Sequence, residues 1–313
     1  MSRAFVFPGQ GAQTIGMGQA LAATYPAAKA VFDEVDAALG EKLSTLIWEG
    51  EQEALTLTRN AQPALMATSL AAFRALESEG VKITDAACVA GHSLGEYSAL
   101  AAAGALSVTD AARLLRIRGD AMQSAVPVGQ GAMAALLGLD FATAVEIAEA
   151  AAEGDVCQAA NDNDPGQVVV SGSKAAVERA VEIAKARGAK RAMLLPVSAP
   201  FHCALMEPAA QAMAQALDDV ELQRPAVPVI ANVEAGPVSD PETLRSLLVE
   251  QVTGSVRWRE SVMWMAAHEV SEIWEIGAGK ALSGMIRRIA REIECRAVGT
   301  PDQVAAAAAS LKG

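Results

Sequence analysis

The chain has 313 residues, 52% of them hydrophobic but only 4% aromatic, and a formal net charge of −12. That length suits one large domain with an inserted piece or two modest domains, with a core built mainly from Ala, Val, Leu, Ile and Met. The acidic balance argues against a nucleic-acid partner, which needs a basic surface, and the lack of an apolar run of about 18 residues argues against a membrane span.

Taken in chain order, Phe5-Val6-Phe7 reads as a strand. Its apolar stretch is too short for a signal peptide, and Pro8 and Gly9 end it at once. A turn-rich loop, Pro8 to Gln13, leads into helical segments. Asp85 to Ala90 reads as a buried strand and Leu94 to Ala103 as a helix stopped by Gly104. Ser107 is placed to cap a second helix that runs to Gln123. From Gly129 the texture changes. Strands are expected at Met133 to Leu137, Val156 to Ala160, Val168 to Val170 and Ala192 to Leu195, with helices at Phe141 to Ala152 and Lys174 to Arg187. That β-α-β-β-α-β order is ferredoxin-like. It defines an expected subdomain, 128–196, inserted into a discontinuous main domain of 1–127 and 197–313. The later strands of the main domain are expected at Val227 to Ile230 and Ile273 to Ile276, and the Ala-rich tail should end in a helix. The alternation of strands and helices makes the class α/β. Cys88, Cys157, Cys203 and Cys295 are scattered and form no Cys-x-x-Cys pair, so neither a zinc site nor a disulfide scaffold is indicated and a reducing compartment fits.

Gly91-His92-Ser93-Leu94-Gly95 lies between the expected strand and helix. At such a turn the pattern becomes a nucleophile elbow: the glycines permit a sharp bend, and the helix N-terminus supplies free N–H groups. The competing reading is that Ser93 merely caps the helix. A serine needs a base to act as a nucleophile at neutral pH, and the chain holds only three histidines. His92 adjoins Ser93 but should point elsewhere, and His268 suits a surface position. His202, in the loop Pro196 to His202 that re-enters the main domain, is the favoured base.

Arg118 sits four residues after Leu114, three after Leu115 and four before Met122, so it projects from the apolar face of its helix. A buried guanidinium needs an anion, and its planar fork suits a carboxylate. A substrate carboxylate and an internal ion pair are both open at this point. Gln251 continues the Leu244, Leu247, Leu248 stripe of another helix. It lines a site or satisfies core backbone groups.

Together these residues resemble the malonyl-CoA:acyl carrier protein transacylase family. The match covers nearly the whole chain, through Phe7 to Gln13, Gly91 to Tyr97, Arg118-Gly119, Pro165 to Gly172, Pro196 to His202 and Glu275 to Lys280. The resemblance implies an α/β-hydrolase-like main domain with a parallel sheet core. It implies that Ser93 carries the acyl group, that His202 is its base and then the acid for the leaving thiol, and that the N–H groups of Gln10 and Leu94 form an oxyanion hole. It implies that Arg118 binds the malonyl carboxylate, that the backbone at Gln251 holds the histidine, and that Asn161 is a polar residue at the cleft. Phe201, just before His202, should crowd an α-methyl branch and favour malonyl over methylmalonyl. The implied reaction is ping-pong: malonyl-CoA acylates Ser93, coenzyme A leaves, and the phosphopantetheine thiol of acyl carrier protein takes the malonyl group for fatty acid synthesis. No metal or redox cofactor is expected; the expected enzyme is a cytoplasmic monomer. Gly277-Ala278-Gly279-Lys280 lacks the phosphate-loop spacing. A plain serine hydrolase, an acyltransferase serving a polyketide synthase, and a non-catalytic scaffold that docks carrier protein are the competing functions.

Overall fold

Two sheets organise the chain, and the computed structural model describes residues 2–312. Six strands form the larger sheet: β1 (Ser2–Phe7), β2 (Cys88–Gly91), β7 (Val229–Ile230), β8 (Pro237–Val238), β9 (Val270–Ile276) and β10 (Glu294–Val298). The smaller comprises β3 (Gly131–Leu137), β4 (Cys157–Asp164), β5 (Gln167–Ser173) and β6 (Arg191–Leu194).

In the larger sheet the order is β10-β9-β1-β2-β7-β8, and every pairing is parallel except that of β7 with β8. Both faces are covered, which is why β1 reads as a continuous apolar run instead of an alternating one. Phe5 and Phe7 enter one core with Val89, Trp274 and Ile276. Ala4 and Val6 enter another with Cys88, Ala90, Ile230 and Ile273. The smaller sheet is antiparallel with order β4-β5-β3-β6. With helices Phe141–Ala152 and Lys174–Ala186 between its strands, it has the expected β-α-β-β-α-β order. It packs a core of its own, all from residues 134–184. Among the described residues no helix is long and apolar enough to cross a membrane.

Several expected boundaries move. The strand expected from Asp85 starts at Cys88. Residues Ile83–Asp85 form a 3₁₀ turn instead, because the Asp85 carboxylate accepts the Lys82 N–H at 2.7 Å. Strand β4 runs four residues beyond Ala160, through Asn161-Asp162-Asn163-Asp164. Four polar residues in a row look like a loop, yet these are buried, and three of the side chains find partners outside the small sheet. Asp162 takes Arg259 in an ion pair, Asp164 takes Arg288, and Asn163 Oδ1 lies 2.8 Å from His92 Nε2. An Asn161–Val256 bridge adds backbone pairing. Strand β10 was not anticipated; its alternating polar residues mark the sheet edge.

Candidate active site

Parallel α/β sheets gather function beyond the carboxyl ends of their strands. Here β1 and β2 end side by side, and the loop after β1 packs on the turn after β2. Ser93 sits in that turn, between Gly91 and the helix Gly95–Ala102, with φ 54°. A non-glycine residue there stores about 1–3 kcal/mol of strain. The flanking glycines are required by close approach. A Cβ on Gly91 would fall 1.9 Å from the Gly95 carbonyl carbon, and one on Gly95 would fall 2.3 Å from the Phe7 oxygen. Asn232 braces the bend from the far side: its Oδ1 accepts the Ser93 N–H at 2.8 Å and its Nδ2 donates to the Gly91 oxygen at 2.6 Å.

His202 Nε2 lies 2.8 Å from Ser93 Oγ, and His202 Nδ1 lies 2.8 Å from the Gln251 backbone oxygen. A carbonyl only accepts, so Nδ1 carries the proton and Nε2 offers its lone pair to the serine hydroxyl. His202 is also in the left-handed region, with φ 58°. Burial first, and then the Arg118 charge, push its pKa down to about 3, so the ring is neutral at ordinary pH.

Arg118 is 1% exposed, on the helix Val108–Ser124 that Ser107 caps. Its guanidinium donates to Gln62 Oε1 at 2.7 Å, Gln251 Oε1 at 2.9 Å and Ser93 Oγ at 3.1 Å. These acceptors are all neutral, and Nε has no partner among the described residues. Desolvation lowers its pKa. The internal ion pair that the sequence left open is therefore absent among the described residues, and a cation with spare donors faces a cavity of about 390 Å³.

Gln10, Leu94, Asn161 and Phe201 line that cavity with Ser93, Arg118 and His202. The backbone N–H groups of Gln10 and Leu94 find no acceptor among the described residues. Asn161 and Phe201 are 7% and 9% exposed, and the Asn161 amide has no side-chain hydrogen bond among the described residues. Gln251 is fully buried. Its Nε2 donates to the Ser93 backbone oxygen at 3.0 Å and to Glu96 Oε2 at 2.9 Å, so it serves the site through both side chain and backbone. His268 is exposed and stacks on Trp264, away from the site.

Asn232, Glu96 and Gln62 were missed as site residues. Glu96 carried a signal, as the one charged residue on a mostly apolar eight-residue helix. Asn232 and Gln62 carried none beyond being polar next to apolar runs. Chemically, the arrangement offers a hydroxyl beside a neutral imidazole, two free N–H groups and a buried cation.

The acyl transferase domain family matches residues 4–309. The malonyl CoA-acyl carrier protein transacylase of Escherichia coli (strain K12) is 48% identical over 304 residues, covering 97% of this chain and 98% of the relative. A crystal structure of acyl-carrier-protein-S-malonyltransferase from Bartonella henselae superposes with a TM-score of 0.98 at 58% identity, covering 100% of both chains. A structure of a type II PKS acyl-carrier protein in complex with its malonyl-transacylase superposes with a TM-score of 0.96 at 41% identity, covering 99% of this chain and 100% of that one.

Proposed function

The chain belongs to the acyl transferase domain family, among the malonyl CoA-acyl carrier protein transacylases, and from that premise we propose how its residues divide the work. It transfers a malonyl group from malonyl-CoA to the phosphopantetheine thiol of acyl carrier protein through an O-malonyl-serine intermediate. His202 Nε2 takes the proton as Ser93 Oγ attacks the thioester carbonyl. The tetrahedral oxyanion accepts the N–H groups of Gln10 and Leu94; in other enzymes, losing one such donor costs about 3–4 kcal/mol. The intermediate collapses, the C–S bond breaks, and His202 returns the proton to the coenzyme A thiolate. The carrier thiol then repeats the cycle on the serine ester.

Arg118 takes the malonyl carboxylate. In the free enzyme one of its protons rests on Ser93 Oγ. Esterification delocalises that oxygen's lone pair into the acyl carbonyl and weakens it as an acceptor, which frees the donor for the carboxylate. Phe201 lines the cavity, where a ring crowds an α-methyl branch and favours malonyl over methylmalonyl. Asn161 offers an amide, unengaged among the described residues, at the same wall. Residues 128–196 form the inserted subdomain, supported by a sheet and a core made within that span. The reaction draws on no metal or redox cofactor. The enzyme works as a cytoplasmic monomer, a setting that suits its four free cysteines.

One observation carries the reading: a single hydroxyl, Ser93 Oγ, stands within hydrogen-bond reach of both a neutral histidine and a buried arginine. Malonyl-CoA with holo acyl carrier protein should give malonyl on the carrier thiol. Release of free malonate at the same rate with or without carrier would mark a hydrolase and reject the proposal. The likeness to a transacylase bound to a polyketide carrier favours a second reading, in which a polyketide carrier is the acceptor. Carrier preference separates the two.

A further inference from the structure

We propose that Glu96 is a positioning residue which couples the nucleophile turn to the carboxylate-binding arginine through one carboxylate oxygen. The inference rests on the roles given above to Ser93 and Arg118. Glu96 lies three residues after Ser93 and is 1% exposed. Its Oε2 accepts two donors: the Asn232 backbone N–H at 3.0 Å and Gln251 Nε2 at 2.9 Å.

Each donor leads to a different half of the site. Asn232 holds the strained Ser93 backbone through its amide oxygen. Gln251 presents Oε1 to Arg118 at 2.9 Å. The amide of Gln251 has two chemically opposite ends. A carboxylate oxygen and the Ser93 carbonyl oxygen both only accept, so both demand the NH₂ end. The carbonyl end is thereby turned to the guanidinium. If that amide were released or reversed, its NH₂ would face a cation inside a dry site, which costs far more than in water.

The other oxygen, Oε1, is buried without a partner among the described residues. Burial pushes the Glu96 pKa up to about 7, against the Gln251 and Asn232 hydrogen bonds and the Arg118 charge, which lower it. An isolated buried carboxyl is expensive, so its position is better explained by what Oε2 holds than by fold stability. The function needs an acceptor at the Oε2 position and does not need the charge. That separates two conservative replacements. Glu96→Gln keeps an acceptor at the same reach without the charge. Glu96→Asp keeps the charge and withdraws the oxygen by one methylene.

The test compares kcat/KM for acylation by malonyl-CoA and by acetyl-CoA in the full chain, with Arg118→Ala as the reference for lost carboxylate recognition. Malonyl-enzyme formation by the parent is checked first by intact mass; its absence would reject the proposed function itself, whatever the variants do. In Glu96→Asp the malonyl-to-acetyl ratio should fall about tenfold, the size of one lost hydrogen bond to a charged group, while Glu96→Gln stays within about threefold of the parent. Gln251→Leu cuts the same link at its other end, on an apolar helix stripe, and should reproduce the fall if Glu96→Asp is too unstable to assay. An unchanged ratio in Glu96→Asp or in Gln251→Leu overturns the proposal, even if both activities drop together, since that is what a merely structural role would do. A Glu96→Gln variant that loses discrimination like Arg118→Ala also overturns it.

Discussion

Ser93, His202 and Arg118 are joined by contacts of 2.8 and 3.1 Å, although they stand 109 and 25 residues from Ser93 in sequence. At this scale the burial of Arg118 was legible, because helical spacing alone puts it on an apolar face. Its partners were not, since Gln62 and Gln251 reach it from other helices. The state of His202 was not legible either: desolvation and the Arg118 charge both favour the neutral ring. This has a consequence for pH dependence. The base works only when neutral, and falling pH protonates it. An ordinary histidine would lose half its activity near pH 6.5. With a pKa of about 3 in the free enzyme, kcat/KM should hold as the pH falls from 7 to roughly 5. A bound malonyl carboxylate offsets the Arg118 charge, so the acid limb of kcat should lie above that of kcat/KM. A kcat/KM limb near 6.5 would contradict this account of the ring.

At the scale of elements, the elbow depends on how closely β2, its following helix and β1 approach. The motif Gly91 to Gly95 was legible as a turn. The reason for Gly95 was not, because it lies in Phe7, far back in the chain, whereas Gly91 answers to Gly95 within the motif itself. Gly95→Ala sets a Cβ 2.3 Å from a backbone oxygen, which cannot move aside as a side chain would. Overpacking of this kind costs about 1–3 kcal/mol, so the denaturant midpoint should fall and serine acylation should slow. A variant of parental stability would show that the helix and β1 do not approach this closely. Strand β4 teaches the converse. The run Asn161-Asp162-Asn163-Asp164 hid its strand character because its partners, Arg259, His92 and Arg288, come from other parts of the chain.

For the whole molecule, the class and the order of elements were legible, since strand and helix periodicities differ and the small sheet packs within one contiguous stretch. The edge strands of the large sheet were not; β8 and β10 are short or half-polar and draw their order from neighbours. The family resemblance made the joint meaning of Ser93, His202 and Arg118 readable before any geometry, while Asn232 and Glu96 emerged only from packing. The large sheet sets the nucleophile turn, and the small sheet closes one wall of the cavity through Met133 and Asn161, while the ion pairs of Asp162 and Asp164 tie its polar strand to Arg259 and Arg288. The central claim is that this assembly carries malonyl covalently on one serine. Intact mass after brief exposure to malonyl-CoA, methylmalonyl-CoA and acetyl-CoA tests it most directly. The account predicts one malonyl adduct on the parent chain, little or none from the other two donors, and none on Ser93→Ala. A malonyl adduct that persists on Ser93→Ala would contradict it.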